Sequence, residues 1–299
     1  MSAGGVGVGR GLALRNPVVL ASGPFGYGGR YVDLFDVSRL GAVVLKGAAP
    51  VPWPGNPPPR VAAVDGGLLN AIGLENPGID AVLQGPARAL ARAGATVVVN
   101  VVGHDLDDFA EVARRASGSP DVRALELNVS CPNVPDGLRY GTDPRQVAAL
   151  VEAVRRVTEL PLWVKLPPAP PDRRALAHAV AESGADALSL VNTMPGLAYD
   201  RQGRPRLGVG AGGLSGPALR PIALLAVAEC ASAVSLPIIG MGGIEAVEHA
   251  RAFLQAGARA VAVGTALLRN PLAAVEIVEA LCDEGDTSRS EPSKEASAP

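Results

Sequence analysis

The sequence holds few cysteines and no long apolar run. Its three cysteines, Cys131, Cys230 and Cys282, lie far apart, so they form neither a metal-ligand spacing nor an even-numbered disulfide framework. No apolar run approaches the roughly 20 residues that span a bilayer, and the first residues lack the basic segment and apolar core of a secretion signal. We therefore expect a cytoplasmic protein without a metal site or a membrane segment.

An excess of either charge is also lacking. The 27 lysines and arginines nearly balance the 29 aspartates and glutamates, which leaves a formal net charge of −2. Because there is no basic excess, a nucleic-acid partner is not expected. Hydrophobic residues make up 48% of the chain and charged residues only 19%, which excludes a disordered protein. Aromatic residues are scarce at 3%, and the abundance of Ala, Val, Leu and Gly favours a tightly packed barrel or a layered sheet.

Short runs rich in Val, Ile and Leu alternate eight times with amphipathic segments rich in Ala, Arg and Glu. The predicted strands cover residues 18–21, 42–45, 96–101, 122–127, 162–165, 187–191, 238–239 and 259–263. The predicted helices cover residues 30–38, 78–93, 105–116, 144–158, 172–183, 217–234, 246–255 and 271–281. Eight equivalent units predict an α/β fold, a TIM (β/α)₈ barrel with its active site at the C-terminal ends of the strands. A doubly wound sheet is the alternative.

Two connections are too long for simple loops between a strand and a helix. Residues 46–76 hold six prolines and are predicted to contain a hairpin of residues 61–64 and 67–69, and residues 192–216 are rich in Gly and Arg. Long loops in a compact domain are usually functional or disordered. Because these two follow strand ends, we expect them to cover or line a pocket.

Every predicted strand ends in a polar side chain or a glycine-rich turn. In chain order these ends are Ser22-Gly23-Pro24, Lys46-Gly47, Asn100, Asn128 to Cys131, Lys165, Asn192-Thr193, Gly240 to Gly243 and Gly264-Thr265. The last two ends are glycine turns followed by helices, an arrangement that offers backbone N–H groups to an anion. They predict a phosphate site, and hence a phosphorylated cofactor or substrate. This signal also argues against the doubly wound sheet.

The strand ends are rich in neutral amides. Asn100, Asn128 and Asn192, with Asn70 and Asn133 in loops, supply donors and acceptors without charge. Such a set suits a planar amide or imide ring, whose edges need complementary pairing.

Two lysines and one thiol complete the candidate chemistry. Lys165 is suited to stabilising negative charge on a reduced isoalloxazine ring, and Lys46 to binding a substrate carboxylate. Cys131 is the one obvious proton acceptor near the pocket. The three histidines fall in helices or helix starts and are interpreted as surface residues; they are His104, His178 and His249.

Six motifs between residues 16 and 281 carry a resemblance to a known family. They are Asn-Pro-Val-Val-Leu-Ala-Ser-Gly at 16–23, Gly-Asn-Pro-Pro-Pro-Arg at 55–60, Leu-Asn-Ala-Ile-Gly-Leu-Glu-Asn-Pro-Gly at 69–78, Asn-Val-Ser-Cys-Pro-Asn at 128–133, Gly-Gly-Leu-Ser-Gly-Pro-Ala at 212–218 and Ile-Ile-Gly-Met-Gly-Gly-Ile at 238–244. With them the chain resembles the catalytic subunit of dihydroorotate dehydrogenase, an enzyme that uses flavin mononucleotide (FMN) on a TIM barrel. The resemblance implies oxidation of (S)-dihydroorotate to orotate in the de novo synthesis of pyrimidines (UMP).

The resemblance also implies a role for individual residues. Cys131 would be the base that removes a proton from C5 while hydride passes from C6 to flavin N5. Lys46 and Lys165 would be the other two catalytic residues. The implied FMN contacts are Ser22, Lys46, Gly47, Asn100, Asn128, Lys165, Val191, Gly216, Gly242, Gly243, Gly264 and Thr265. The implied contacts to dihydroorotate or orotate are Lys46, Asn70, Ala71, Ile72, Gly73, Leu74, Asn128, Asn133, Asn192 and Thr193.

Within that family, Cys131 is typical of the soluble class 1 enzymes, since the membrane-associated class 2 enzymes use Ser there. The motifs Gly-Leu-Glu-Asn-Pro-Gly at 73–78 and Asn-Thr-Met-Pro-Gly-Leu-Ala at 192–198 resemble class 1B. That class implies a homodimer joined to an electron-transfer subunit as a heterotetramer, with NAD⁺ as final acceptor. FAD and a 2Fe-2S cluster are expected only on the partner, because this chain has no cysteine cluster or dinucleotide fingerprint of its own.

The chain departs from the family pattern at two places. Glu75 stands where Gln is usual, and Ala48 stands in Lys46-Gly47-Ala48-Ala49, where Thr is commoner after the lysine. We expect neither departure to touch the proposed chemistry. The predicted organisation is a single FMN-binding barrel domain over residues 1–282 and a disordered tail over 283–299, which lacks hydrophobic periodicity.

Three other functions remain open. The nearest is another FMN barrel acting on a reduced pyrimidine, such as a dihydrouracil dehydrogenase or a tRNA dihydrouridine synthase. The lack of a basic patch disfavours the tRNA enzyme, and Lys46 favours dihydroorotate over dihydrouracil. A phosphosugar aldolase or isomerase would use Lys165 as a Schiff-base nucleophile, and it would leave the amides and Cys131 without a role. A catalytically inert barrel that serves as a binding subunit would bind no flavin.

Overall fold

The protein is described by a computed structural model, which covers residues 5–130 and 139–287. The strands are β1 (Val6–Gly7), β2 (Ala13–Leu14), β3 (Val18–Leu20), β4 (Ala42–Val44), β5 (Val61–Val64), β6 (Gly67–Asn70), β7 (Val97–Val101), β8 (Ala124–Asn128), β9 (Leu162–Leu166), β10 (Ala187–Leu190), β11 (Met194–Gly196), β12 (Gly212–Ser215), β13 (Ile238–Met241) and β14 (Ala260–Val263). The α-helices are α1 (Ile79–Val82), α2 (Arg88–Arg92), α3 (Leu106–Ser117), α4 (Arg139–Thr142), α5 (Pro144–Arg155), α6 (Arg173–Glu182), α7 (Arg220–Ala233), α8 (Val247–Gln255) and α9 (Ala273–Thr287).

Eight parallel strands close into a barrel in the order β3, β4, β7, β8, β9, β10, β13 and β14. Closure is made where β14 pairs with β3, with Val261 opposite Val18. The sequence-based prediction of a TIM barrel is therefore confirmed. Parallel pairing also explains why these strands lack an exposed face, since helices cover the outside and side chains fill the inside.

The barrel interior packs many small residues around one large aromatic side chain. Several inward positions of the strands are alanines, including Ala42, Ala124 and Ala187, and the fully buried Trp163 packs in the same cluster. The Trp163 Nε1 atom donates to the carbonyl oxygen of Val8 at 3.0 Å. Val8 belongs to the segment that joins β1 and β2, so this short antiparallel hairpin closes the N-terminal end of the barrel. This hairpin was not predicted from the sequence.

The outer helices are amphipathic and begin at side-chain caps. In α3, Phe109, Val112, Ala113 and Ala116 are buried at the spacing that places them on one helix face. The Asp105 carboxylate precedes this helix and accepts from the Asp108 N–H at 2.9 Å. Aspartates cap α5 and α6 in the same way.

Two predicted helices are divided into shorter segments in the structure. Residues 30–38 form two short 3₁₀ turns, Gly29–Asp33 and Val37–Arg39, because the Asp36 side chain accepts from the Ser38 N–H at 2.9 Å and starts a new turn. The predicted helix 78–93 is divided by a π-helical segment, Leu83–Ala87, which contains Pro86. Proline has no N–H for an ordinary helical bond, and that lack disturbs the regular ladder.

The last helix is longer than expected. Helix α9 ends at Thr287, whereas the prediction ended it at residue 281 and began a disordered tail at 283. Residues 288–299 of that tail lie outside the described ranges. None of the helices in the described ranges is both long and apolar enough to cross a membrane.

A second sheet lies at the C-terminal end of the barrel and is built from both long connections. Its strand order is β11, β12, β6 and β5. The hairpin of β5 and β6 was predicted, but β11 and β12 were not. Strand β12 runs antiparallel to β6 with Gly213 opposite Asn70, so the two connections support each other beside the strand ends.

Candidate active site

The C-terminal ends of the barrel strands surround a cavity of about 400 Å³. It is lined by residues from the barrel strand ends and from both long connections. All of the residues predicted to contact FMN line this cavity: Ser22, Lys46, Gly47, Asn100, Asn128, Lys165, Val191, Gly216, Gly242, Gly243, Gly264 and Thr265.

Most of the predicted substrate residues lie there too. Those that line the cavity are Lys46, Asn70, Ile72, Leu74, Asn128, Asn192 and Thr193. Two others do not. Ala71 is fully buried in a small cluster with Leu69 and Leu207, and the backbone of Gly73 packs so closely on Asn56 that a Cβ would meet it at 2.5 Å. Cys131 and Asn133, the predicted base and a predicted substrate contact, lie outside the described residues.

The three strand-end amides form one hydrogen-bonded row. Asn192 Nδ2 donates to Asn128 Oδ1 at 3.1 Å, and Asn128 Nδ2 lies 3.5 Å from Asn100 Oδ1. The row ends at the fully buried Glu126, whose Oε1 accepts from Asn100 Nδ2 at 2.8 Å. Because each amide has its partner, the orientation of the whole row is fixed before a ligand binds.

Lys165 carries a buried positive charge beneath this row. It is 5% exposed, and its Nζ atom donates to Ser22 Oγ at 3.1 Å and lies 3.9 Å from Glu126 Oε1. A buried ammonium is costly unless it is paired, and Glu126 provides the pairing charge. Glu126 was not predicted as a site residue, although a carboxylate within an otherwise apolar strand is a signal that could have found it.

Ser130 is a second residue to which the sequence analysis gave no role. It is fully buried, and its hydroxyl donates to the Lys165 carbonyl oxygen at 2.8 Å. Asn192 Nδ2 donates to Ser130 Oγ at 3.0 Å and to its carbonyl oxygen at 3.1 Å. These bonds tie the end of β8 to β9 and to the segment after β10, directly before the position of Cys131 in the sequence.

Glycine turns form the opposite wall of the cavity. Gly216, Gly242 and Gly243 all have φ in the positive region. A Cβ on Gly243 would lie 2.6 Å from the Gly216 carbonyl oxygen, and one on Gly242 would lie 2.7 Å from the Ala223 Cβ. Side chains are therefore excluded here, and backbone atoms line the wall. Such a wall fits a phosphate group, which is bound best by backbone N–H groups at close approach.

Apart from Ser215, the remaining lining is apolar. Lining residues that were not predicted as FMN or substrate contacts include Ala21, Met241 and Ala262 from the barrel interior, and Val61, Leu68, Leu219 and Leu268 from outside it. The first three follow from strand parity, because they share the inward face with the polar ends. An apolar surface with a few convergent polar groups fits a flat aromatic ring such as that of a flavin.

Glu75, which stands where Gln is usual, lies at the rim and contacts Lys46. The expectation that this departure leaves the proposed chemistry untouched stays a prediction. Its Oε2 is 3.3 Å from Lys46 Nζ, and its Oε1 is 3.0 Å from an Arg60 guanidinium nitrogen. The hydrogen bonds from Arg60 and Lys46 hold the pKa of the Glu75 carboxyl below its ordinary value. Glu75 is therefore ionised at neutral pH.

The histidines have no place in the described lining of the cavity. His104 and His178 are exposed as predicted. His249 is half-buried, and its Nδ1 accepts from the Glu245 N–H at 3.3 Å. In the part of the chain that the structure describes, no three His, Cys, Asp or Glu side chains come close enough together to hold a metal ion.

The comparisons with known proteins point to one family. The family model described as "Dihydroorotate dehydrogenase" matches residues 9–284. Relatives named "Dihydroorotate dehydrogenase B (NAD(+)), catalytic subunit" include one from Fusobacterium nucleatum, 45% identical over 91% of this chain and 90% of its own. Another, from Bacillus pumilus, is 46% identical over 91% of this chain and 88% of its own.

A solved structure supports the same fold. It is dihydroorotate dehydrogenase from Eimeria tenella in complex with ferulenol, which superposes with a TM-score of 0.80 at 24% sequence identity. The alignment covers 95% of this chain and 85% of that one. The family match and the relatives at 45% and 46% identity extend over nearly the whole chain. This chain therefore belongs to the dihydroorotate dehydrogenase family.

Proposed function

We propose that this chain oxidises (S)-dihydroorotate to orotate in pyrimidine (UMP) biosynthesis, with FMN bound in the cavity at the strand ends. The observation that carries the proposal is that three hydrogen-bonded amides and two lysines converge on one cavity in a chain of this family. The amides suit the edges of planar rings, and the lysines suit anionic groups.

The cavity residues divide into those that hold FMN and those that hold substrate. Gly216, Gly242 and Gly243 would hold the phosphate with backbone groups, and Lys165 would face the electron-rich part of the flavin ring. The remaining FMN contacts are those predicted from the sequence. When bound, FMN supplies the acceptor for the hydride that leaves C6 of the substrate.

The side-chain amides of Asn128 and Asn192, together with Lys46, would orient the substrate. Asn128 and Asn192 are held in one orientation by the row that ends at Glu126, so they can pair with the ring amides of dihydroorotate without reorganising. Lys46 Nζ would receive the carboxylate. With Asn70 and Thr193 on the same cavity, these groups fix which ring face meets the flavin.

Cys131 is the proposed base. The reaction breaks the C5–H and C6–H bonds and forms the C5=C6 double bond; the C5 proton goes to Cys131 Sγ, and the C6 hydrogen leaves as hydride. The assignment is supported by Ser130, the residue before Cys131 in the sequence. Ser130 is fully buried and is hydrogen-bonded to Lys165 and Asn192, which both line the cavity. A thiol is a competent base only as thiolate.

The final acceptor and the assembly belong to the same proposal. We infer a homodimer that joins an electron-transfer subunit carrying FAD and a 2Fe-2S cluster, so that NAD⁺ receives the electrons in the cytoplasm. The names of the relatives, which specify NAD⁺ and a catalytic subunit, support this inference.

The test is an anaerobic visible spectrum of the FMN-loaded chain before and after addition of dihydroorotate, with dihydrouracil as the comparison. Bleaching of the flavin bands by dihydroorotate is expected, with a much weaker response to dihydrouracil, which has no carboxylate for Lys46. Bleaching by dihydrouracil alone would favour the alternative reduced-pyrimidine enzyme. Failure to bind FMN would contradict the proposal and favour the aldolase or the inert barrel.

A further inference from the structure

Three charged side chains, Arg60, Glu75 and Lys46, are paired in sequence at the rim of the cavity. Glu75 bridges Lys46 and Arg60, at 3.3 Å and 3.0 Å respectively. Lys46 lines the cavity, whereas Glu75 and Arg60 are not among the lining residues. The side chain of Glu75 is 47% exposed, compared with 22% for Lys46 and 28% for Arg60, so Glu75 is the most solvent-exposed of the three.

Arg60 holds Glu75 from behind. Its Nε donates to the Asn56 carbonyl oxygen at 2.5 Å, and a terminal nitrogen donates to the Pro54 carbonyl oxygen at 2.9 Å. The other terminal nitrogen contacts Glu75, so each of the three guanidinium nitrogens of Arg60 has a partner. Arg60 therefore fixes the position of the Glu75 carboxylate, and its own charge is not directed at the cavity.

Glu75 therefore offsets the charge that the site offers to an anion. Lys46 and Arg60 contribute two positive charges and Glu75 one negative charge, which leaves a single net positive charge in this cluster. Glu75 stays ionised at neutral pH, since the two cations hold the pKa of its carboxyl below the ordinary value. A substrate carboxylate at Lys46 would meet that negative charge close by.

We propose that Glu75 is a specificity-determining positioning residue, which weakens the hold of Lys46 on the carboxylate of the bound pyrimidine so that orotate leaves readily. This inference rests on the proposed function. Glu75 has no role in the chemistry at C5 or C6. It acts by repelling the carboxylate of substrate and product and by sharing the Lys46 ammonium with it.

The variant Glu75→Gln isolates the charge from the shape. Glutamine has nearly the same shape and can still accept from one of the two cations with its single Oε1, and it is the residue usual at this position in the family that the sequence resembles, so the fold should be retained. Glu75→Ala removes both the charge and the contacts. The matched control is Glu279→Gln, because Glu279 is a similarly exposed carboxylate, 2.7 Å from Arg39, on the outer helix α9.

The experiment titrates FMN-loaded protein with orotate and with uracil, which lacks the carboxylate, and follows the flavin absorbance. Glu75→Gln should lower the Kd for orotate about tenfold, as expected for loss of one nearby negative charge, and leave the Kd for uracil unchanged. Added salt should reduce the difference in orotate Kd between Glu75→Gln and the unaltered protein, because the site is partly open to solvent. Glu279→Gln should behave as the unaltered protein.

Each other outcome has a definite meaning. An orotate Kd that Glu75→Gln leaves unchanged or raises would overturn the role of Glu75, and so would an equal change for uracil. If the unaltered FMN-loaded protein fails to respond to orotate, the proposed function itself fails, and this inference fails with it. The two failures are thus distinguished by the unaltered protein.

Discussion

Lys165 and Glu126 form an ion pair inside the barrel, with 3.9 Å between Lys165 Nζ and Glu126 Oε1. Both groups are almost completely buried, at 5% and 1% exposure. The pair contributes both to the stability of the barrel and to the proposed FMN site. Glu126 makes a buried lysine tolerable, and that lysine is the residue proposed to face the flavin. Breaking such a pair from one side leaves an uncompensated buried charge.

The first prediction concerns this pair. Glu126→Gln should lower the free energy of unfolding by about 3–5 kcal/mol, because Lys165 loses its partner. Denaturant titration of the FMN-free protein measures the change. The double variant Glu126→Gln with Lys165→Met removes both charges, and it should lose less than the sum of the two single variants. Additive losses would show that the two charges do not interact.

The second prediction concerns the glycine wall. Gly243→Ala should weaken FMN binding by more than about tenfold, because its Cβ would clash with the Gly216 carbonyl oxygen and displace one of the turns. Gly203→Ala is the control, since Gly203 also has a positive φ but has open space around its Cβ position. Fluorescence titration with FMN compares the two. Equal FMN affinity in both variants would count against a phosphate site at this wall.

The third prediction concerns the barrel interior. Trp163→Ala should lower the free energy of unfolding by about 3–5 kcal/mol, because the surrounding alanines cannot fill the space. Trp163→Phe keeps most of the volume and loses the bond to the Val8 carbonyl oxygen, so it should cost less. Thermal unfolding of the two variants ranks them. A Phe variant as unstable as the Ala variant would show that the hydrogen bond matters more than the volume.

The fourth prediction concerns pH. A cysteine thiol has a solution pKa of about 8.5, so the rate of flavin reduction should rise with pH as the Cys131 thiolate forms. Stopped-flow absorbance between neutral and alkaline pH measures the profile. Cys230 cannot supply this titration, because burial raises the pKa of its thiol to about 11. A rate independent of pH over this range would argue against a thiol base.

Much of the architecture follows from sequence pattern alone. Eight apolar strands with polar ends were enough to predict the barrel and the end at which its cavity lies, because parallel strands place all their C-terminal ends on one side. The places of Asn100, Asn128, Lys165 and Thr265 in the cavity lining were predicted in this way. These features are local in the sequence, and each strand carries its own signal.

Features that depend on distant partners could not be predicted in the same way. Strands β1 and β2 have two residues each, too few for periodicity to show. The contact between Glu75 and Lys46 joins residues 29 apart through a proline-rich connection of irregular backbone. Glu126 reads as one odd residue in an apolar strand until β9 brings Lys165 beside it. Each of these required the three-dimensional structure.

The most direct test of the account is the single-turnover rate of flavin reduction by dihydroorotate in the Cys131→Ala variant. The account predicts that FMN and orotate still bind while the reduction rate falls by several orders of magnitude, because no group remains to take the C5 proton. Cys282→Ala, which alters an exposed thiol on α9, should reduce at the unaltered rate. A Cys131→Ala variant that reduces its flavin as fast as the unaltered protein would contradict the account.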